Sequence, residues 1–278
     1  MIPRVVHYCW FGGNPFPKKI VRCMKSWKKH LPDYEFRLWN EENFDVNAYP
    51  FAKEAYRAKN WAFVADICRL HALVACGGIY LDADVEVVRP LDDLLSLRAF
   101  IGFDGETYPE METLGAEKGF PIFREMLDHC AGRELFLEDG RMDTAPLPHS
   151  VTPVLLRHGF RADGSAQEID GLTVFPGDYF SPMAFDSGKV KGTENTYTVH
   201  HYAGTWLDPK EIRRIRRGRM LCSVFGERAG WRIHRRIASF GRLYGNLRRN
   251  IRKDGLFGGL AKTRRGRRAW RREHPRRR

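Results

Sequence analysis

No stretch of this chain approaches the roughly 20 consecutive apolar residues that a membrane-spanning helix needs. The six cysteines (Cys9, Cys23, Cys68, Cys76, Cys130, Cys222) form no CxxC pair, and no histidine stands near them at zinc spacing. That excludes a ribbon or finger and leaves free thiols in a reducing compartment as the expectation. The N-terminus lacks the charged region, apolar run and small-residue cleavage site of a signal peptide, and Met1-Ile2-Pro3-Arg4-Val5-Val6 reads straight into a strand. A cytoplasmic location is expected on these grounds. No internal repeat is visible. Acidic residues are scarce at one end only: Ile212 to Arg278 holds 24 Lys+Arg against Glu227, Asp254 and Glu273. That segment is +21, whereas Met1 to Glu211 is −8. The formal net charge of +13 therefore describes a tail and says little about any active site.

What remains suits a folded domain. The chain is 43% hydrophobic with seven tryptophans in 278 residues, enough for one large core and an appended segment. Arg4 to Phe11 reads as a buried strand ended by Gly12-Gly13-Asn14-Pro15. Lys18 to His30 reads as a helix with Ile20, Met24 and Trp27 on one face, and Tyr34 to Trp39 as the next strand. Phe51 to Ala58 and Trp61 to Ala75 read as helices, the second stopped by Gly77-Gly78. Ile79-Tyr80-Leu81 is a short buried strand running into Asp82-Ala83-Asp84, with Val85 to Val88 as its continuation. Later strands are expected at Phe100 to Phe103, Leu172 to Phe175 and Thr196 to Tyr202, and helices at Ile122 to His129 and Val151 to His158. Strands alternating with helices predict a three-layer α/β domain over residues 1–210. Residues 211–278 form a basic helical extension, where Ile233, Ile237, Phe240, Tyr244, Leu247 and Ile251 make one apolar stripe among arginines. From Gly255 the composition is that of a flexible Arg-rich tail.

Two carboxylates at i and i+2, where an apolar strand ends, can share one divalent ion, and oxygen ligands suit Mg²⁺ or Mn²⁺. Such an ion neutralises a diphosphate. Asp82 and Asp84 stand in that relation, and ligand sites of open α/β sheets lie outside the carboxyl ends of strands. A bare DxD is common as a solvated acidic turn; the strand and the Gly-Gly stop in front of it set this one apart. Asp66 and Arg69 share a face of the preceding helix, which is otherwise largely apolar. The bland reading is a surface ion pair, but the apolar surroundings predict a rim position where Arg69 can fork onto a phosphate or a sugar hydroxyl.

The stretch Trp61-Ala62-Phe63-Val64-Ala65-Asp66-Ile67-Cys68-Arg69-Leu70, followed by Gly77-Gly78-Ile79-Tyr80-Leu81-Asp82-Ala83-Asp84-Val85, resembles the DxD sugar-binding region of glycosyltransferase family 32. That group includes bacterial capsular-polysaccharide transferases and the yeast initiating mannosyltransferase. The likeness extends to Ile2 through Gly13 and to Thr198-Val199-His200-His201-Tyr202-Ala203-Gly204-Thr205-Trp206. The resemblance implies a GT-A type, Rossmann-like nucleotide-sugar-binding domain with a mixed central sheet, and transfer with retention at the anomeric carbon. It implies Mn²⁺ (or Mg²⁺) and a nucleotide-sugar donor, a UDP-sugar, with a glycan acceptor on a lipid carrier in cell-surface or capsular polysaccharide synthesis. By the same resemblance Trp10 stacks on the base, Asp66 and Arg69 hold the donor sugar, and Asp82 contacts the ribose. Asp84 ligates the metal directly and Asp82 mainly through water, His201 completes the shell in preference to His200, and Trp206 closes over the diphosphate. Thr205, where relatives carry Ser, keeps the hydroxyl; Thr152-Pro153, where they carry Gly-Pro, alters a loop near the donor.

The basic extension admits an anionic membrane surface, packing on the catalytic domain, or nucleic acid, the last without any recognition motif. Two rival functions differ in chemistry. A haloacid-dehalogenase type phosphatase would use Asp82 as its phosphoryl-accepting nucleophile, and a non-catalytic polyanion-binding protein would need neither metal nor donor.

Overall fold

The computed structural model describes residues 1–184, 187–204 and 209–239. The chain divides into two compact units, Met1–Leu207 and Asp208–Arg278.

In the first unit, β1 (Val5–Cys9) lies between β2 (Glu35–Trp39) and β3 (Gly78–Leu81), parallel to both. Beyond β3 the sheet becomes mixed. β6 (Tyr108–Ala116) runs antiparallel to β3 and to β5 (Ala99–Asp104). β8 (Leu172–Phe175) is parallel to β5, and β7 (Gln167–Ile169) closes the edge antiparallel to β8. The seven strands run in the order β2-β1-β3-β6-β5-β8-β7.

Both faces of this sheet are buried, because successive side chains of a strand point to opposite sides. Tyr80, Ala99, Ile101 and Phe103 face one core, covered by α2 (Pro50–Arg57), α3 (Trp61–Cys76), α4 (Pro121–Ala131) and α5 (Leu147–Arg157). Ile79, Leu81 and Phe100 face the other, under α1 (Lys18–His30). Trp27 is the anchor of α1: it is fully buried and its indole Nε1 donates to the Val85 carbonyl at 2.7 Å. α3 is apolar on nearly every side, as a helix wedged between a sheet and its neighbours must be.

The expected three-layer α/β domain is present, with three corrections. Val85–Val87 does not continue β3. It forms β4, which pairs antiparallel with β9 (Thr198–His200) in a separate two-stranded sheet. A turn closed by the Val85 N–H on the Asp82 carbonyl at 2.9 Å breaks the strand, and that turn carries both aspartates. β6 was not expected at all, because proline and two glutamates interrupt its apolar pattern. The final strand is also shorter than Thr196 to Tyr202, since Tyr202 adopts a left-handed φ of 45° that no ladder accommodates.

The join of α3 to β3 explains the Gly-Gly pair. Gly77 and Gly78 have φ of 68° and 116°, and a Cβ on Gly78 would sit 2.7 Å from the Val5 carbonyl. Only glycine lets β3 begin beside β1 at once.

In the second unit, α6 (Pro209–Phe225) ends at Gly226, whose φ is 77°, and a second helix runs over 227–239. The two helices touch where a Cβ on Gly230 would meet the Cys222 backbone at 2.5 Å. The Trp231 ring lies edge-on to His234, with centroids 4.9 Å apart. Of the expected apolar stripe, Ile233 is half-buried and Ile237 exposed, while the buried position between them is His234. Phe240, Tyr244, Leu247, Ile251 and the Arg-rich tail lie outside the described residues.

Candidate functional site

β1 and β3 end side by side, and the site is built from the segments just beyond their carboxyl ends. Asp82 opens the turn after β3 and its N–H donates to the Glu112 carbonyl at 2.9 Å. Its Oδ1 accepts from Tyr80 Oη at 2.8 Å and from Arg69 Nη2 at 3.0 Å. Asp84 closes the turn. Its Oδ2 accepts the Ala203 N–H at 2.5 Å and its Oδ1 lies 3.3 Å from His200 Nε2. Ligand atoms of Asp82, Asp84 and His200 all fall within 4.8 Å of one another, so the turn after β3 and the end of β9, distant in sequence, meet at a single point.

Arg69 holds the arrangement from behind. Its guanidinium is only 6% exposed and reaches Asp66 Oδ1 at 3.1 Å, Asp82 Oδ1 at 3.0 Å and the Met111 carbonyl, while lying over the Tyr80 ring at 4.8 Å. The rim position expected for Arg69 is therefore a buried one. A planar guanidinium suits such a junction because its donors fan out in fixed directions. Burial opposes its charge, but Asp82, Tyr80 and Asp66 more than offset this and Arg69 stays a cation.

The surplus of carboxylates around one arginine sets the electrostatics. Burial pushes Asp66 up to about 7 against the pull of Arg69. Burial also raises Asp82, with Arg69 opposing and Glu112 and Asp84 adding to the rise. Asp84 differs: burial works against its charge, yet His200 and the Ala203 N–H hold its carboxyl well below the usual carboxylate range. His200 answers in kind, since burial disfavours the imidazolium but Asp84 carries it up to about 9. Two aspartates two residues apart thus differ in ionisation because their partners differ.

Of the residues singled out in the sequence, Asp66, Arg69 and Asp82 form one chain of contacts, and Asp84 joins Asp82 through the shared turn. Trp10 leaves the carboxyl end of β1 half-buried; its Nε1 donates to the Asn14 carbonyl at 2.6 Å and its ring tilts against Phe16 at 4.9 Å. His201 is not the histidine brought to the pair. Its Nε2 lies 2.7 Å from Glu86 Oε2, and His200 takes the place beside Asp84. The reason is strand alternation: Tyr197, Val199 and His201 share one side of β9 and its flank, and Thr196, Thr198 and His200 the other. That polar-apolar alternation was the signal available in the sequence. Trp206 and Thr205 lie outside the described residues. Thr152 and Pro153 sit inside α5, where the Thr152 hydroxyl donates to the Pro148 carbonyl at 2.6 Å.

Four further groups at the site were given no role in the sequence reading: Tyr80 and Tyr202, which stand inside the quoted stretches, and Glu110 and Glu112, which lie outside them. Tyr202 stacks at a tilt on His200, 4.1 Å between centroids, and its hydroxyl contacts Ser181 at 3.0 Å and Asp104 at 3.1 Å.

A mixed sheet with helices on both faces, carrying a DxD pair where a central strand ends, fits the GT-A type fold class expected from the sequence. Residues 17–101 match the family model described as a glycosyltransferase sugar-binding region containing the DXD motif. The match lies within the region whose motifs resemble glycosyltransferase family 32 and supports that resemblance. It is 33% identical over 130 residues to inositol phosphoceramide mannosyltransferase 3 of Schizosaccharomyces pombe, covering 45% of this chain and 36% of that protein. It is 28% identical over 131 residues to mannosyl phosphorylinositol ceramide synthase CSH1 of Saccharomyces cerevisiae, covering 46% and 35%. The chain thus spans about a third of the length of these curated relatives. Among solved structures it is similar to the PaToxG glycosyltransferase, with 17% identity, a TM-score of 0.45, and coverage of 56% of this chain and 68% of that one.

Proposed function

We propose that the chain is a metal-dependent glycosyltransferase that moves a sugar, with retention, from a nucleotide-sugar donor to a lipid-linked glycan acceptor in cell-surface polysaccharide synthesis. The observation that carries this reading is the gathering of Asp82, Asp84 and His200 into one ligand set, backed by the Asp66–Arg69 fork. The set fits a divalent ion in its chemistry, two hard carboxylates and one imidazole. His200 Nδ1 is buried with no hydrogen-bond partner among the described residues, so Nε2, the nitrogen facing Asp84, is the one that serves the site.

Asp84 and His200 would hold the ion directly and Asp82 mainly through water, with Arg69 fixing the Asp82 carboxylate. When bound, the ion neutralises the diphosphate that departs with the nucleoside. Asp66 and Arg69 line the donor sugar, and Trp10 offers its indole to the base. His201, held on Glu86, is outside this set. The relatives' names make mannose the first sugar to test beside the UDP-sugars.

A membrane partner is supported by α6. Arg213, Arg214, Arg216 and Arg217 crowd its first half, and Met220, Val224 and Phe225 are exposed on its second at 58%, 67% and 54%. Basic and apolar groups side by side suit an anionic bilayer surface, which would confine enzyme and lipid-borne acceptor to one cytoplasmic leaflet. Among the described residues no helix is long and apolar enough to cross a membrane.

The test is release of nucleoside diphosphate from UDP-galactose, UDP-glucose, UDP-N-acetylglucosamine and GDP-mannose, with Mn²⁺ or chelator. Wild type, Asp84→Ala, His200→Ala and His201→Ala are compared. Release from one donor that needs Mn²⁺ and disappears in Asp84→Ala supports the reading. Turnover of a plain phosphate ester, with no donor bound or cleaved, sinks it and assigns Asp82 to a phosphatase. Equal loss of Mn²⁺ affinity in the two histidine variants would remove the preference for His200.

A further inference from the structure

One buried carboxylate beside the site has no part in that chemistry. Glu110 is fully buried in β6, and both of its oxygens accept backbone N–H groups of its own strand. Oε1 takes the Glu112 N–H at 3.1 Å and Oε2 takes the Thr113 N–H at 3.0 Å. The strand is irregular there. Phe100 of β5 pairs with Gly115 and Gly102 with Glu110, so the single residue Ile101 lies opposite the four residues Met111–Leu114. A bulge of that size strips backbone groups of their ladder partners, and the Glu110 side chain supplies the acceptors they lose.

The residues displaced by the bulge lead to three of the elements that build the site. The Met111 carbonyl accepts from Arg69 of α3. The Glu112 carbonyl accepts the Asp82 N–H at the end of β3, at 2.9 Å. The Thr113 hydroxyl contacts the Thr198 hydroxyl of β9 at 3.1 Å, two residues before His200. The Glu112 carbonyl carries the β3–β6 ladder one residue past Leu81↔Thr113, while the Met111 carbonyl and the Thr113 hydroxyl reach to α3 and β9. Together they fix the arginine fork, the first aspartate and the histidine strand relative to one another.

We infer that Glu110 is a positioning residue for the donor and metal site, acting through the β6 bulge on Arg69, Asp82 and the strand that carries His200. It touches neither donor nor ion. Its effect is on geometry, and reactions of this kind lose on the order of 10²-fold when reacting groups are misplaced by about 1 Å. The inference rests on the proposed transferase function for its kinetic consequence and on the structure alone for the coupling.

The experiment compares wild type, Glu110→Ala, Glu110→Gln and a core variant in α5, Val154→Ala, as the control for general loss of stability. Hydrogen exchange followed by mass spectrometry over peptides covering 79–88 and 196–203 is read beside Mn²⁺ affinity and the kinetics of donor hydrolysis. Glu110→Ala should deprotect both peptides selectively, weaken Mn²⁺ at least tenfold and lower kcat on the order of 10²-fold. Glu110→Gln, which keeps one acceptor, should fall between it and wild type. Val154→Ala should leave Mn²⁺ affinity and kcat unchanged at a temperature where it is folded. If Glu110→Ala does not fold, Glu110→Gln decides on the same readouts. Wild-type exchange and Mn²⁺ affinity in a folded Glu110 variant overturn the inference, as does a loss no larger than that of the control. Altered exchange and Mn²⁺ affinity with no donor cleaved by the wild-type protein would leave Glu110 standing and overturn the transferase instead.

Discussion

The two units of this chain handle charge in opposite ways. In Met1–Leu207 the decisive charges are buried and each has a named partner: Arg69 with Asp66 and Asp82, Asp84 with His200. In the described helices of Asp208–Arg278 the arginines of α6 are mostly exposed, and the helix holds a single acid, Glu211. A buried charge is costly unless its partners are in place, so the first unit depends on individual residues. An exposed cluster acts through its summed field, so the second should tolerate the loss of any one member. The contrast separates chemistry that needs positions from attraction that needs only numbers.

The hardest way to break this contrast is Arg69→Met. It leaves Asp66 and Asp82 buried without their cation, and removal of one partner from such a site costs about 3–5 kcal/mol. Thermal unfolding should show a fall in Tm of about 10 °C for a unit of this size, and an unchanged Tm would mean that the fork is not structural. Next comes Gly230→Ala. The added methyl is driven into the Cys222 backbone, and overpacking of this kind costs about 1–3 kcal/mol. The loss should appear as reduced helical signal with donor hydrolysis intact.

Smaller still is Arg214→Gln. A basic residue near an anionic leaflet contributes about 1 kcal/mol, so affinity for phosphatidylserine vesicles should drop about fivefold and equally for its neighbours. A much larger loss at one arginine would point to a specific lipid headgroup pocket. The smallest effect is that of His158. Its hydrogen bond to Asp170, and then Glu125, raises its pKa although burial opposes this. A raised histidine stabilises fully below its unfolded pKa of about 6.5 and loses that contribution as pH rises through the folded value. Both partners are exposed, so the contribution stays under about 1 kcal/mol. The Tm difference between wild type and His158→Gln should therefore be present at pH 5.5 and vanish at pH 9.

Much of this was legible in the order of residues. The helix-Gly-Gly-strand-DxD run was readable because periodicity, stop signal and carboxylates succeed one another within about 25 positions, from Trp61 to Asp84. Arg69 was legible as a partner of Asp66 but not as buried, since helical spacing shows a shared face and not what covers it. β6 was hidden because Glu110 and Glu112 break the apolar alternation. Their carboxylates satisfy backbone of the same strand, a use that no pattern of hydropathy encodes. The choice between His200 and His201 turned on one step of strand phase, and a single residue of register reverses every side chain. Gly77-Gly78 was read only as a helix stop; the close approach to the Val5 carbonyl, which forbids any Cβ, needed the neighbouring strand to be in place.

The hydrogen bond from the Ala203 N–H to Asp84 joins positions 119 residues apart. During synthesis the DxD turn therefore leaves the ribosome long before the strand that completes it, and Asp84 must wait for its partners at His200 and Ala203. Contacts so remote in sequence are slow to form and form late. A divalent ion held as proposed by both Asp84 and His200 would bind only after that closure and would then favour the closed chain over every earlier state. The donor site would then act as a latch on folding, its assembly marking the step at which the first unit becomes native.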